Sequence, residues 1–463
     1  MSGALTGKKR ETMSEIMISG SKPSKKGTIP NIQISGAKND VLSLMAACLL
    51  TKKNVNLINV PNIGDVDDMK KQLQSYGVDV STGDAQSLVL NAMNARFEPV
   101  NNDNVTIKCT PGSFLVLGPL VARLREAKVP RPLGCQINKL GRPVDFHIDA
   151  LVKMGAKVFQ DQEHDSVWLK AQGGLHGKEI IFDKVSVGAT KNVMMAACLA
   201  KGTTTITNAA VEPEVINLVN MLNNMKASIK IGKDDSGRNI ITIDGQREGL
   251  LSGTTHTVIP DRIEAGSYAI ACAISRGPVL LKMDEKMERN KEMLSVVVET
   301  LQHAGVQAKW MENGLQIKRE GEILPVNVTS GPYPQFPTDL LPQWVTFMTL
   351  AQGKSEIEDT IYDNRFRYVT ELQKLGAKLT LSESKTVCRV EGKAVLVGTC
   401  VNANDLRAGF ALILAGMATT DGTTRVKGFR LVQRGYENIE EKLKQCGAKL
   451  FDVRETPGGF YGY

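Results

Sequence analysis

Long apolar runs are absent from this chain of 463 residues, in which no stretch of 18 or more consecutive apolar residues occurs. A membrane-spanning helix requires such a run, so the sequence predicts no membrane segment. The first 25 residues are polar and lack the apolar core of a secretory signal. We therefore expect residues 1–25 to be a flexible N-terminal extension and the protein to be cytoplasmic.

Aromatic residues are also scarce, at 5% of the chain. Lys and Arg (57) outnumber Asp and Glu (49), which gives a formal net charge of +8, but the basic residues are spread along the sequence. Without a platform of aromatic side chains for stacking bases, this pattern argues against a dedicated nucleic-acid-binding protein. The positive balance suits an enzyme whose cleft attracts small anions.

The eight cysteines form no CxxC pair and no Cys/His cluster with zinc-binding spacing. Neither a Walker loop nor a GxGxxG fingerprint is present. We therefore expect no metal and no cofactor. Cys135 alone lies in a Pro/Gly-rich loop with Arg131, Lys139 and Arg142 nearby. Because positive neighbours stabilise a thiolate, this cysteine is the candidate for reactivity, with an ordinary loop cysteine as the alternative.

One short phrase recurs six times, at intervals of 71 to 79 residues: an apolar helical stretch, usually a Gly, and then alternating apolar residues. Gly is a common helix stop because it enters the left-handed conformation cheaply, and the alternation predicts a strand. The six stop positions are Gly77, Gly155, Lys226, Gly305, Gly376 and Gly447. An internal period of this length indicates a fold built from repeated units.

Each unit reads as helix, strand, helix, strands, which makes the fold class α/β. The first helix of a unit is rich in Ala, Met, Cys and Leu, so we expect it to be buried nearly all round. The second helix carries charges on one side and should face water. A chain of this length exceeds one ordinary core, so two domains of three units are expected. Their predicted bounds are 36–252 for the first and 26–35 plus 253–463 for the second.

Charged residues recur where the helices of the units begin. An Arg precedes the second helix of three units, and the first-helix entrances carry further charges. These residues are Arg142, Arg365 and Arg434, and then Lys38, Lys184 with Ser186, Arg262, Asp339 and Arg407. A helix start already favours anions, and Arg adds a bidentate donor for phosphate or carboxylate. A single Arg of this kind could be a cap or a surface partner, but the recurrence favours a shared anion site.

Two further segments keep two interpretations open. DKVSVGAT, from Asp183 to Thr190, is either a phosphate cradle or an ordinary helix start. Asp339 in FPTD is either an N-cap or a general base.

Ten motifs occur in family order: SGAKN, LGPLVAR, GC followed by RPVD, DKVSVGAT, EPE, PDRIEAG, FPTD, NRF, DLRA and QRGYE. Over residues 30 to 455 the chain thereby resembles the UDP-N-acetylglucosamine 1-carboxyvinyltransferases of the enolpyruvyl transferase family. It is similar, more distantly, to the shikimate-pathway enolpyruvyl transferases, which lack the cysteine loop.

The resemblance implies two inverse (inside-out) α/β barrels of three units each, which close around phosphoenolpyruvate and a uridine nucleotide sugar. It implies transfer of the enolpyruvyl group to a 3′-hydroxyl with release of phosphate, the first committed step of peptidoglycan precursor synthesis. We expect a monomer.

The resemblance also implies roles for individual residues. A cationic cage would hold phosphoenolpyruvate through Lys38, Arg142, Arg365, Arg407 and Arg434. Asp339 would accept the sugar hydroxyl proton, Asp405 would support proton traffic, and Cys135 would be the loop thiol that fosfomycin attacks in this family. The uridine nucleotide would lie against Asn39, Arg142, Pro143, Val144, Asp145, Lys184, Val185, Ser186, Gly188 and Asp339.

Four features depart from the family pattern. The segment between Cys135 and Arg142 is two residues longer, and Pro111, Val211 and Leu341 replace polar or charged residues expected near the nucleotide phosphates and sugar. Two alternatives therefore accompany the main interpretation. One is an enolpyruvyl transferase that uses another uridine nucleotide, such as UMP, in specialised metabolism. The other is a non-catalytic paralogue.

Overall fold

The structure, a computed structural model, describes residues 15–23, 27, 29–84, 86–100, 112–131, 144–159, 165–245, 249–283 and 286–451. Cys135, Arg142 and Pro143, and the substituted Pro111, lie outside the described residues. Across the ranges given above, no helix combines the length and apolarity needed to cross a membrane.

The described residues form 23 strands and 13 α-helices, together with four short 3-10 turns. The strands are β1 Glu15–Ser21, β2 Asn31–Gln33, β3 Val55–Ile58, β4 Asp79–Thr82, β5 Leu88–Asn91, β6 Glu126–Pro130, β7 Lys157–Phe159, β8 Ser166–Lys170, β9 Glu179–Ile181, β10 Gly202–Thr207, β11 Ser228–Lys233, β12 Asn239–Gly245, β13 Thr254–Thr257, β14 Val279–Lys282, β15 Gln307–Met311, β16 Gly314–Lys318, β17 Val328–Thr329, β18 Lys354–Glu358, β19 Lys378–Leu381, β20 Val387–Glu391, β21 Cys400–Asn402, β22 Thr424–Lys427 and β23 Ala448–Phe451. The helices are α1 Lys38–Ala47, α2 Gly64–Ser75, α3 Leu117–Leu124, α4 Asp145–Lys153, α5 Val187–Ala197, α6 Pro213–Asn224, α7 Arg262–Ser275, α8 Met287–His303, α9 Leu341–Met348, α10 Val369–Lys374, α11 Leu406–Met417, α12 Phe429–Gln433 and α13 Ile439–Gln445.

All six repeat positions have the left-handed backbone conformation that a helix stop requires. Their φ angles are 81° at Gly77, 109° at Gly155, 75° at Lys226, 83° at Gly305, 101° at Gly376 and 93° at Gly447. The one non-glycine copy, Lys226, adopts this conformation although a side chain disfavours it. The predicted helix stop is therefore a property of every unit.

The first helix of each unit is buried and the second is half exposed, as the residue pattern predicts. Every residue of α7 from Ile263 to Ser275 is buried, and so is every residue of α11 from Arg407 to Met417. In α8, by contrast, the buried positions recur at helical spacing along one side. The buried helices pack on one another, α3 on α5 and α9 on both α7 and α11.

Six sheets accompany the six units. Their strand orders are β13-β3-β5-β4, β6-β8-β7, β11-β12-β10-β9, β15-β16-β14-β2, β17-β18-β20-β19 and β21-β22-β1-β23. Each four-stranded sheet has one parallel pair, between a short strand and its neighbour, and its other pairs are antiparallel. The recurrence of one pairing scheme confirms the repeated α/β unit.

Two of the short strands are exchanged between the halves of the chain. Strand β2 directly precedes α1 but pairs with β14, and β13 directly precedes α7 but pairs with β3. The chain therefore crosses twice, where Gly36 bridges Pro260. Gly36 is needed there because a Cβ would lie 2.0 Å from the Asn59 carbonyl oxygen. The backbone N–H of Ala37 donates to the Ile259 carbonyl at 2.7 Å.

The buried apolar side chains form two large clusters. One runs from Val41 to Val258, and the other combines Ile16 to Ile34 with Ile263 to Ala448. We call these parts the first half and the second half. Because β13 pairs with β3 and Val258 lies in the first cluster, the expected change at residue 253 is a few residues too early.

The expectation of a flexible segment over residues 1–25 is wrong for Glu15–Ser21, which form β1 in the middle of the sixth sheet. Ile16 and Ile18 are buried there, with β22 on one side and β23 on the other. The alternation EIMIS was the local signal for this strand. Its role depends on pairing with residues more than 400 positions away, which no local pattern reveals. Residues 1–14 lie outside the described residues.

Candidate active site

Asp339 lies between two buried arginines from different units. The carboxylate belongs to a short 3-10 turn that leads into α9. Its Oδ1 accepts from Arg365 Nη2 at 2.7 Å, and its Oδ2 accepts from Arg407 Nη2 at 3.0 Å and Nε at 3.2 Å. The two guanidinium side chains are 1% and 4% exposed, whereas that of Asp339 is 25% exposed. The Asp339 carboxylate is thus partly exposed to solvent, while the two cations that hold it are buried behind it.

Other polar groups fix both arginines. Arg365 Nε donates to Thr338 Oγ1 at 3.0 Å, and Arg407 Nη1 donates to the Tyr436 hydroxyl at 3.2 Å. Asp405 caps α11 by accepting from the backbone N–H groups of Arg407 and Ala408. Burial by itself would lower the pKa of each guanidinium, but the neighbouring carboxylates, Asp339 foremost, raise it above its ordinary value. Both side chains are therefore permanent cations.

A second cationic pair surrounds Asp65 at the first residues of α2. Asp65 Oδ1 accepts from Arg434 Nε at 2.7 Å, and its Oδ2 accepts from Lys38 Nζ at 3.3 Å. Asp65 is almost fully buried, and burial alone would raise its pKa. Lys38 and Arg434 outweigh that effect and hold the pKa of Asp65 below its ordinary value. Two cations from opposite halves of the chain thus share one carboxylate.

The two halves are also in close backbone contact around Asp65 and Arg434. The Asp65 N–H donates to the Arg434 carbonyl at 3.1 Å, and the Asn62 N–H donates to Glu437 Oε1 at 3.0 Å. Gly64 permits this approach, because a Cβ there would lie 3.3 Å from the Arg434 Cα. Sequence reasoning missed Asp65, since an acidic residue in the first turn of a charged helix is ordinary.

Tyr436 links the two cationic pairs. It follows Arg434 by two residues, and its hydroxyl accepts from Arg407. Asp261 lies near both pairs, because its Oδ2 accepts from the Lys38 N–H at 3.0 Å, its Oδ1 caps α7, and its charge helps to raise the pKa of Arg407. Within the predicted cage, Lys38 and Arg434 thus share Asp65, and Arg365 and Arg407 share Asp339. Arg142 lies outside the described residues.

The residues predicted to contact a nucleotide begin α4 and α5. Ser186 caps α5 by accepting from the Ala189 N–H at 3.3 Å, and Lys184 beside it is exposed. A Cβ on Gly188 would lie 3.2 Å from the His147 ring, so the start of α5 rests on α4. Burial lowers the pKa of His147 to about 4 and keeps the ring neutral. Val144 is buried at the entrance of α4, where Asp145 is exposed, and Val185 is half-buried.

Three residues of interest do not line an open anion site. Arg262 begins α7, but its Nε donates to Glu214 Oε1 at 3.0 Å in a buried ion pair. Leu341 is fully buried, and Val211 is half-buried. Among the described residues, no group of three or more His, Cys, Asp or Glu side chains is arranged to hold a metal ion.

The chain is similar in sequence and in fold to enolpyruvyl transferases. The sequence profile of the EPSP synthase (3-phosphoshikimate 1-carboxyvinyltransferase) family matches residues 26–443. Relatives from Brucella ovis and Brucella melitensis, described as UDP-N-acetylglucosamine 1-carboxyvinyltransferases, are 44% identical over 441 residues, which cover 93% of this chain and 97% of theirs.

Two solved structures share the fold. The enolpyruvyl transferase NikO from Streptomyces tendae has a TM-score of 0.81 at 22% identity, with 94% of this chain and 98% of that chain covered. An EPSP synthase from Acinetobacter baumannii has a TM-score of 0.67 at 15% identity, with 95% and 100% covered. Together with the two cationic pairs and the six-unit fold, these matches mean that the chain belongs to the EPSP synthase family and is an enolpyruvyl (carboxyvinyl) transferase.

Proposed function

We propose that this enzyme transfers the enolpyruvyl group of phosphoenolpyruvate to the 3′-hydroxyl of UDP-N-acetylglucosamine and releases phosphate. The 44% identity to relatives described by that activity supports the acceptor. The observation that carries the chemistry is the placement of Asp339 between Arg365 and Arg407, beside a second cationic pair. The reaction would supply precursors of peptidoglycan.

The two cationic pairs would divide the two anionic groups of phosphoenolpyruvate between them. Lys38 and Arg434, together with Arg142, would hold the phosphate, and Arg365 and Arg407 would hold the carboxylate. The positive charge is fixed before substrate binds, and such preorganised charge stabilises the charge that develops in a transition state without reorganisation. Each anionic group of phosphoenolpyruvate would displace a carboxylate oxygen from its cationic pair, the phosphate at Asp65 and the carboxylate at Asp339. The Asp339 carboxylate would then turn toward the sugar hydroxyl.

Asp339 would act as the general base. It would accept the proton of the 3′-hydroxyl as that oxygen bonds to C2 of phosphoenolpyruvate, while C3 gains a proton. Loss of a proton from C3 and departure of phosphate from the tetrahedral intermediate would then restore the double bond. We assign proton traffic near C3 to Asp405 and to Cys135, the reactive loop thiol.

The nucleotide would lie along the starts of α1, α4 and α5. Asn39 and Ser186 offer polar groups, and Gly188 lies in the first turn of α5, where backbone N–H groups favour an anion. Cytoplasmic location and a monomeric state remain predictions from the sequence.

Phosphate release from phosphoenolpyruvate tests the proposal, with UDP-N-acetylglucosamine, UMP or shikimate 3-phosphate offered in separate reactions. We expect release with UDP-N-acetylglucosamine. Release with UMP alone would favour the alternative of specialised metabolism. Absence of release with all three acceptors would overturn the proposal and favour a non-catalytic paralogue.

An Asp339→Asn variant tests the assignment of the base. We expect kcat to fall by about 10²–10⁴-fold, the usual range for loss of a general base. Glu356→Gln is the matched control, because Glu356 is exposed on β18 and pairs with Arg389 at the surface. Equal activity of Asp339→Asn and the control would refute the assignment.

A further inference from the structure

Lys191 is a long cationic side chain in the interior of the first half. It lies on α5 and is only 2% exposed. Lysine is almost never fully buried unless it is paired, because removing its charge from water is costly. The partners of the Lys191 ammonium group therefore indicate what this buried charge does.

The ammonium group holds the first turn of α1. Lys191 Nζ donates to the Asn39 carbonyl oxygen at 2.7 Å and to Ser43 Oγ at 3.1 Å. The Ser43 hydroxyl donates in turn to the Asp40 carbonyl at 2.7 Å. Lys191 of α5 is therefore hydrogen-bonded to the first turn of α1, the turn that begins with Lys38.

Acidic groups offset part of the cost of burying Lys191. Burial, the largest influence, lowers the pKa of Lys191 below its ordinary value, while Glu214, Asp40 and Glu212 oppose that shift without reversing it. Asp40 is held in place by the Ile259 N–H at 3.0 Å and by Asn217 Nδ2 at 2.7 Å.

The two helices that Lys191 joins both carry predicted substrate contacts. Helix α1 begins with Lys38 and Asn39, and α5 begins just after Ser186, with Gly188 in its first turn. Lys191 itself lies three residues after Gly188. A displacement of about 1 Å between groups that bind two substrates can lower a rate about 100-fold. A rigid connection between these helix starts is therefore of direct use to the reaction.

We propose that Lys191 is a positioning residue, which fixes the start of α1 with Lys38 and Asn39 relative to the nucleotide-facing start of α5. This inference depends on the proposed function, because it concerns the same two substrates. Neither the family match nor the motifs point to this residue.

The test separates positioning from charge balance. Lys191→Met alone leaves Asp40 uncompensated and is expected to lower stability. The double variant Lys191→Met/Asp40→Asn removes one charge of each sign, so we expect its melting temperature to lie close to that of the wild type. The Asn39 carbonyl oxygen no longer accepts a hydrogen bond from residue 191 in the double variant. We therefore expect KM for both substrates to rise at least fivefold and kcat to fall about 10–100-fold.

The second half supplies a matched control. Lys442 is also buried, and its Nζ donates to Glu264 Oε1 at 2.8 Å and to Ser35 Oγ at 2.7 Å. Lys442→Met/Glu264→Gln removes the same pair of charges without touching α5, so we expect KM within about twofold of the wild type. The same KM in Lys191→Met/Asp40→Asn would overturn the positioning role.

A milder variant covers the case in which the double variant fails to fold. Ser43→Ala removes one of the two Lys191 contacts and changes no charge, and we expect KM for both substrates to rise about two- to threefold. Unchanged KM values there would also overturn the inference. If the wild type releases no phosphate with any acceptor, the proposed function fails. If the wild type is active and the variants keep its KM, the positioning role alone fails.

Discussion

Helices α1 and α7 each begin the first unit of their half, directly after a strand that crosses to the other half. Each also begins with a cation, Lys38 in one and Arg262 in the other, but the surroundings differ. Lys38 shares the single carboxylate of Asp65 with Arg434. Arg262 instead faces two acids. Burial would lower the pKa of Arg262, but Glu214 and Glu212 together raise it above its ordinary value. Equivalent helix starts therefore become binding or structural positions according to the carboxylates around them.

Removal of the two cations gives the largest contrast. Lys38→Met should lower kcat/KM for phosphoenolpyruvate about 10²–10³-fold, as expected when one preorganised charged donor is lost. Arg262→Met should change kcat/KM per folded molecule by less than about fivefold. Steady-state kinetics on samples of known folded fraction measures both. Equal losses in the two variants would mean that the helix starts serve the same purpose.

Stability should show the opposite order. Arg262→Met leaves Glu214 buried without its partner, which typically costs about 3–5 kcal/mol in the free energy of unfolding. The double variant Arg262→Met/Glu214→Gln should recover most of that loss, because it removes the unpaired charge. Denaturant unfolding at neutral pH measures the difference. No recovery in the double variant would show that the ion pair is not the cause.

The third residues of the two helices should behave alike, which gives the smallest effect. Burial, the largest influence, raises the pKa of Asp40 from 3.8 to about 7 and that of Glu264 from 4.5 to about 7. Lys191 faces Asp40 together with Asn217 and Glu214, and Lys442 and Asp261 face Glu264; the two lysines oppose the rise. The folded protein therefore binds these protons more tightly than the unfolded chain does.

Protonation of each of these two carboxyl groups stabilises the folded protein. This stabilisation is complete below pH 4 and is lost as the pH rises to 7. Asp40→Asn and Glu264→Gln should each remove about 3–4 kcal/mol of that pH dependence. Unfolding free energies at pH 4.5, 6 and 7.5 measure the slope. A wild-type slope retained in both variants would contradict the prediction.

The repeated architecture could be predicted from local residue patterns. A helix stop depends on one residue and its immediate neighbours, and the burial of a helix depends on apolar residues within a few turns. The helix stops predicted at Gly376 and Gly447 are therefore confirmed, and so are the buried apolar helices predicted in the repeated units. The sequence also predicts a site that includes the cationic residues Lys38, Arg365, Arg407 and Arg434, because each stands at a recurring helix start.

Other parts of the site depended on residues far apart in the chain. Asp65 and Arg434 are separated by 369 positions, and β1 joins strands from the opposite end of the sequence. Nothing near Asp65 marks it as the partner of two cations.

The period of apolar residues and the short motifs are enough to predict the six units, their helix stops, the alternation of buried and half-exposed helices, and the family. Three features become visible only in the folded chain. Strands β2 and β13 exchange halves, β1 completes the sixth sheet, and Arg262 is neutralised while Lys38 shares its acid. The physical reason is that charge balance and strand pairing depend on distances in space, which the fold sets between residues hundreds of positions apart.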